Sequence, residues 1–531
     1  VIDHETPYSA GWWMKTLAKR LQDRRCGRLG TTRYSTGVYK LDSDLRPGID
    51  LLDDYYNGNP PLAPVATEWA DYARAFIRKG RLNVADLLVS STANRMQLRD
   101  FRTSAADDEF GDTKVRAIMR ANDMVLKIRD AHEWMLAHAD SYGLVAPADP
   151  GAGREHALFT AESAQQFITA HDPATDQILA ALKLFRDEDA RMDWAYVYHY
   201  TSYSSTGRPT GKPHLSVAEK KGVSTIQDAP FRFTAKSWDW NDDRSTPIKG
   251  KTLPVFRFRN RKGVGEFEQH LGHIDRINDK IVSEWWIAKM QAFRQRAVKG
   301  LPDVDPQTGE TITDEEWAKI LVSDPGAMWR IPQDAEFWES TPVDIRPVIE
   351  AIKDDIARLA VVTATALHTL MPDADNQSAQ GSENKREESI FKIEDRRDRV
   401  SGVWCQVMGK MLEYDADSEA QQRSDPGEIE PLWGPIERYS LTDKGEATAK
   451  AKGVVPIEAL LMDVWQYPPS AIPDLRRMIG RELLVTQTAA APPVTPTNTP
   501  GNRPVAPPPT NGNQPPTNGN RPPARQPAGT A

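Results

Sequence analysis

Histidines, glycine-rich turns and cysteines are the groups from which this chain could build chemistry, and their spacing argues against most of it. TGRPTGKP (206–213) suggests a phosphate loop, but its glycines sit one residue too close together. Pro213 also stands where a Ser or Thr would hold magnesium, so the stretch is expected to be a turn. HEWMLAH sets His132 and His138 six residues apart, about 240° around a helix, whereas a two-histidine zinc site needs i and i+4. His270 and His273 come nearer to sharing a face but have no evident third ligand. GAGREH (151–156) neither follows a clear strand nor completes the dinucleotide fingerprint. There is no G-x-S-x-G elbow, and none of the many carboxylate pairs is singled out by its context. Cys26 and Cys405, far apart in an otherwise unstapled chain, read as free buried thiols of a reducing compartment. No catalytic residue, metal site or cofactor is expected, and the chain does not read as an enzyme.

The elements must therefore serve something other than catalysis. The 531 residues allow two or three domains, or one large lobed protomer. A net charge of −8 excludes a generic nucleic-acid sponge. No run approaches the roughly 18 apolar residues that span a bilayer, and VIDHETPYSAGWWMKTLAKRL has no apolar core of a signal peptide.

Residues 12–25 and 41–56 read as short helices, the second stopped by Gly58 and the Pro60-Pro61 pair. Trp69, Tyr72, Ala73 and Phe76 predict helix from Thr67 to Arg102, and another runs from about Asp112 to His138. DWAYVYHYT (193–201), FRFTAKSW (231–238) and LPVFRFRN (253–260) read as strands, giving a mixed α/β body with more helix than strand. Phe267, Leu271, Ile274, Ile281, Trp285, Ala288 and Ala292 mark a long helix over 266–299. Ile345, Ile349, Ile352, Ile356, Leu359, Thr363, Ala366 and Leu370 mark a second over 345–370. A third, from Glu383 to about Glu413, puts Ile393, Val400, Trp404, Val407 and Met411 on one stripe. Repeats of this kind make a narrow seam against other helices, within one chain or between chains.

Between the first two long helices, residues 300–344 carry eleven acids against Lys319 and Arg330, a net −9. This is an acidic, turn-rich projection whose Trp317, Trp329, Phe337 and Trp338 suggest packing against a partner. The 43 residues from Ala489 hold 13 of the 40 prolines, no acid and a doubled PPTNGN unit, and are expected to be a disordered tail.

This order of parts resembles the portal proteins of tailed double-stranded-DNA bacteriophages, especially the family found in phages of actinobacteria. Five collinear stretches within residues 10–485 carry the resemblance. LLDDYYNGNPPLAP is similar to the family's first helix with its tyrosine pair, and LLVSSTANRMQLRDFR to the lead into its body domain. LPVFRFRNRKGVGEFEQHLGHIDRINDKIVSE resembles the strand, loop and stem helix with an Ile-Asp-x-x-Asn pattern, here Ile274, Asp275 and Asn278. DNQSAQGSENKREESIFKIEDRRDRV resembles the join from second stem helix to wing helix, and IERYSLTDKGEATAKAKGVVPIEALLMDVWQYPPSAI the C-terminal helical region. Asn94-Arg95 departs from the family's usual Asn-Trp. Ser378, Ala379, Gln380 and Gly381 depart from its Ser-Ala-Glu-Ala, where Gly381 predicts a longer loop.

The resemblance implies a mixed α/β, predominantly α-helical portal fold with wing, stem, clip and crown regions, assembled as a closed ring. Its parts would be an N-terminal wing or body (1–265), first stem helix (266–299), clip (300–344) and second stem helix (345–370). A tunnel loop (371–382), a long wing helix with its connection (383–431), a crown-like region (432–488) and the tail (489–531) would complete the chain. Such a ring, usually of twelve subunits, sits at a capsid vertex of the virion after assembly in the host cytoplasm. Double-stranded DNA is packaged and ejected through it, without sequence specificity. Asp373 and Asp375, multiplied around the ring, would repel phosphates, while Asn376, Gln377, Ser378 and Gln380 would exchange neutral hydrogen bonds cheaply. Lys385 and Arg386 would make transient phosphate contacts. Asp314, Glu315, Glu316, Trp317 and Trp329 would meet the terminase large subunit or the head-to-tail adaptor. Major capsid and scaffolding proteins are further expected partners, with no membrane involved. The alternative is another virion structural protein, such as an adaptor or minor capsid protein. A packaging ATPase or nuclease is disfavoured by the missing phosphate loop.

Overall fold

The computed structural model describes residues 2–27, 46–61, 75, 77–105, 111–221, 238–292, 296–300, 304, 309, 311–313, 336–339, 341, 343–371, 379–437, 440–451, 453–468 and 471–489. The chain divides into Val1–Leu475 and Arg476–Ala531. Over its described residues the second unit is helical, within the helix Ile472–Ala489, and the other elements belong to the first. The residues from 490 onward, and with them nearly all of the proline-rich stretch, lie outside the described residues.

Ser9 opens α1 (Ala10–Cys26) by accepting the Trp12 N–H at 3.1 Å. Its Trp13, Met14, Leu17, Ala18 and Leu21 recur at helical spacing and are all buried. α2 (Ile49–Tyr56) comes next, shorter at its start than expected, and Asn57 and Gly58 end it. The helix expected through 67–102 is not continuous. In its described part, Asn83 caps α3 (Val84–Ala93) by accepting the Asp86 N–H, and Leu98–Arg102 is a strand, β1. The partner of β1 is Glu430–Trp433, with Arg102 opposite Glu430 across 328 positions, so no local window could reveal the pairing. The single helix expected from Asp112 to His138 is two, α4 (Thr113–Ala121) and α5 (Met124–His138). Asp123, at φ 50°, turns the chain between them, a conformation Asp tolerates better than most residues.

Among the described residues, nine strands lie between α5 and the first long helix: β2 (Asp140–Ala146), β3 (Leu158–Ser163), β4 (Phe167–His171), β5 (Ile178–Asp187), β6 (Met192–Tyr200), β7 (Pro213–Lys221), β8 (Asp239–Trp240), β9 (Thr246–Pro247) and β10 (Val255–Arg259). β10, β2 and β3 form one antiparallel sheet; β4 to β8, with β9 beside β7, form another. β6 and β10 are the expected strands, whereas 231–237 of the third lie outside the described residues. Over the described residues the body holds helix and strand in comparable amounts, with several strands beyond the expected ones. β5 explains the shortfall. Ala180 and Leu182 pack into the core beneath α1, while Ala181 enters the core formed with Phe167 and Tyr198. A strand buried on both faces loses the alternation that marks it in sequence. TGRPTGKP is the expected turn, linking β6 to β7.

α6 (Leu271–Ala292) is the first long helix. It ends earlier than expected, because Arg296–Lys299 is a strand, β11, paired with β12 (Glu336–Glu339). Arg296 faces Glu339 and Lys299 faces Glu336, opposite charges that favour this register. The second long helix is also divided: α7 (Arg346–Val362) is separated from α8 (Leu367–Leu370) by a break holding Ala364 at φ 47°. α9 (Ala379–Tyr414) is the longest helix described. Its Ile393, Val400, Trp404, Val407 and Met411 are all buried, as their spacing predicted. The Trp404 ring lies 4.5 Å from that of Phe258, and its Nε1–H donates to His132 Nε2 at 2.9 Å. α10 (Ser418–Gln421), β13 (Glu430–Trp433), α11 (Leu441–Ala451) and α12 (Ile457–Ala459) follow in the same unit.

Both cysteines are free, but Cys26, the last residue of α1, is exposed rather than buried. Cys405 is partly buried, with its thiol donating to the Ile429 carbonyl. Among the described residues, no helix is long and apolar enough to cross a membrane.

Candidate functional site

α6 and α7 pack side by side, and one carboxylate organises their contact. Asp355 on α7 has a side chain only 1% exposed, and it accepts two hydrogen bonds from Arg276 at 2.9 Å each. Lys280 adds a second cation at 2.7 Å, and its ammonium also donates to the Ala351 carbonyl at 3.2 Å. The planar fork of Arg276 fixes orientation as well as distance. Arg276 and Lys280 are one helical turn apart, so a single acid on the facing helix meets both.

The Ile-Asp-x-x-Asn pattern holds α6 to the body. Ile274 is buried in the main core. Asp275 accepts the Tyr55 hydroxyl proton at 2.7 Å, and Asn278 accepts the Leu82 backbone N–H at 2.9 Å. Burial and the hydrogen bond to Asp275 hold the Tyr55 phenol well above its usual range. Burial also raises the Asp275 carboxyl, although the Tyr55 bond acts against it. Toward its other end α6 is less enclosed, with Trp285 and Trp286 exposed.

At the body end of the helix pair lies a buried ionic cluster. Glu266, 5% exposed, meets Lys392 at 2.9 Å and Arg396 at 2.7 Å, both from α9 and both 8% exposed. Asn260 donates to the same carboxylate at 3.1 Å. Burial alone would raise the Glu266 carboxyl, but Lys392 and Arg396 outweigh it and bring it down to about 2. Lys392 also donates to the Thr363 carbonyl at 2.9 Å, in the break between α7 and α8. One lysine thus ties the entry of α6, the end of α7 and the flank of α9 into a single joint.

The expected loop is shorter than its assigned span. α9 already begins at Ala379, so Gln380 and Gly381 are helical rather than part of a longer loop. A single glycine costs a helix about 1 kcal/mol, which a run of 36 residues outweighs. Asp373, Asp375, Asn376, Gln377 and Ser378 lie outside the described residues, as do Asp314, Glu315, Glu316, Trp317 and Trp329. Lys385 and Arg386 fall on the first turns of α9. Conversely, sequence reading missed Glu266, Asp355, Lys392 and Arg396; the one available signal was charge on otherwise apolar seams. His270 and His273 have ring centroids 6.0 Å apart, and among the described residues no group of His, Cys, Asp and Glu could hold a metal ion.

A second feature is a cleft of about 400 Å³ where α4, α5 and β1 meet, lined by Arg99, Arg116, Arg120, Met119, Val125 and Leu126 among others. Arg116 is engaged there by Asp100 at 2.6 Å.

The family model described as phage portal protein, SPP1 Gp6-like, matches residues 40–467 of this chain. No curated protein matches it. Among solved structures, a chain from the neck of an empty GTA particle, computed with C6 symmetry, is 10% identical with a TM-score of 0.41. The match covers 75% of this chain and 94% of that one. A chain from the neck of a native GTA particle, computed with C12 symmetry, gives 10% identity, the same coverages and a TM-score of 0.40.

Proposed function

This chain belongs to the SPP1 Gp6-like phage portal protein family, and we propose that it closes into a ring, twelve subunits in the usual form, at a capsid vertex of the virion. The observation that carries the reading is the span of the family match, which runs from the body through both long helices and α9. In this reading α6 and α7 are the stem of the channel. Residues 300–344 are the clip that meets the terminase motor during packaging and the head-to-tail adaptor afterwards. The segment joining α8 to α9 is the tunnel loop that meets passing DNA, and residues 432–488 include the crown.

A conduit must not grip its cargo. Each phosphate that a lysine or arginine neutralises adds affinity that has to be broken again at the next step. The pairing of Arg276 and Lys280 with Asp355 supports this role, since both cations are engaged by one buried carboxylate, which offsets part of their charge within the helix pair. Asp373 and Asp375 would add repulsion toward the duplex, and Asn376, Gln377 and Ser378 would offer neutral contacts that form and break with little net energy. The chain's role is therefore structural rather than catalytic.

Negative-stain imaging of the purified full chain, viewed down the particle axis, tests the reading. Rings with a bore wide enough for duplex DNA are expected. A species that stays monomeric at micromolar concentration in native mass spectrometry would overturn it.

A further inference from the structure

α9 buries one face, and its opposite face has an unusual composition. Glu387, Phe391, Glu394, Asp398 and Gly402 succeed one another at spacings of four, three, four and four, which places them on one narrow stripe. All five are exposed, and Phe391 is 62% exposed. Gly402 leaves open space where a side chain would stand. The stripe is acidic with one large aromatic at its centre, and Glu388 beside it adds a further exposed acid. An aromatic presented on a charged helix face is the pattern of an anchor that enters a pocket elsewhere.

The cleft between α4, α5 and β1 has the complementary character. Arg99, Arg116 and Arg120 line it against Asp100 and Asp123, and Asp100 is already engaged by Arg116. Its floor includes Met119 and Met124, both buried. Its lip carries Val125 at 67% exposure and Leu126 at 64%, placed there by the left-handed turn at Asp123. Basic groups around an apolar hollow are what an acidic stripe with a central phenylalanine would fit.

We infer that, in the assembled ring, the Phe391 stripe of one subunit docks into the Arg120–Leu126 cleft of the next, with Phe391 in the hollow and Glu394 facing Arg120. The two surfaces differ, so the contact is heterologous and propagates from subunit to subunit until the ring closes. The inference rests on the proposed ring and adds to it the pair of surfaces that meet. α9 would then serve two cores at once, its buried stripe stabilising its own subunit and its acidic stripe gripping a neighbour.

Two experiments on the full chain decide it, both beginning from images of the unsubstituted protein. In the first, Arg120→Glu and Glu394→Arg are made singly and together. Each single change is expected to raise the concentration needed for half-assembly roughly tenfold or more, and the combined exchange to recover much of the loss. In the second, Cys26→Ser and Cys405→Ser remove the native thiols, and Phe391→Cys with Val125→Cys supplies one thiol on each surface. A bis-maleimide of about 10 Å reach, longer than a disulfide permits, is expected to give a ladder of subunit multiples, with none from either single-cysteine protein. Rings that form without a ladder, or single charge reversals that assemble like the parent, would overturn the contact while leaving the ring intact. Single reversals that spare the ring yet lose an adaptor would also overturn it, by assigning the surface to another virion protein. A parent protein that forms no ring would instead remove the reading on which the contact rests.

Discussion

Glu266 is held ionised by two cations that cannot reach water easily themselves. Removing it with Glu266→Ala leaves Lys392 buried without its carboxylate and Arg396 with Asp395 alone, which should cost about 3–5 kcal/mol. The direction of the pH effect follows from the depressed carboxyl. The folded value lies at about 2, below the roughly 4.3 of an unfolded glutamate, so the unfolded chain binds the proton first as acid is added. The contribution of Glu266 is therefore complete above the unfolded value and is lost as the pH falls toward 2. Thermal melts of the parent between pH 7 and pH 3 should show this acid sensitivity, and Glu266→Ala should flatten it. Trp404→Phe keeps an aromatic ring in place but strips His132 Nε2 of its donor, and should cost about 1–3 kcal/mol in chemical denaturation. Burial holds the His132 imidazole down at about 3, so it enters this bond neutral.

Among the elements, the break between α7 and α8 depends on backbone conformation that only some residues accept. Ala364 is at φ 47°, where a β-branched side chain is strained. Ala364→Val should destabilise by about 1–2 kcal/mol, whereas Ala364→Gly should leave the melting temperature within a degree or two of the parent. This break was not legible in the sequence, because Thr363, Ala366 and Leu370 continue the apolar spacing straight across it. The α9 stripe was legible because the spacing from Ile393 to Met411 is local and every member is buried in the same core. The end of α6 was not, since β11 exists only through its pairing with β12, beyond the acidic segment. The Ile-Asp-x-x-Asn pattern could be found by resemblance, but its purpose could not. That purpose depends on Tyr55 and Leu82, which reach α6 from about 200 positions away (220 and 196).

For the whole molecule, the joint at Lys392 and the proposed tunnel loop are distinct parts of the chain. Among the described residues, the cluster around Glu266 joins the entry of α6 to α9 and the end of α7, and the clasp on Asp355 joins α6 to α7. Deleting residues 373–378 should therefore leave subunit folding and ring formation unchanged while reducing genome packaging or retention in infection. Packaging assays alongside images of the mutant rings check both halves of that expectation. Full function without the segment would show that the DNA contact lies elsewhere.

The pairing of β1 with β13 also sets a clock on biosynthesis. While the ribosome is still making the helix pair, the early strand has not yet met its mate, so that sheet cannot close. A nascent chain thus cannot finish this wall until it has been made as far as Trp433, well after both long helices have left the ribosome.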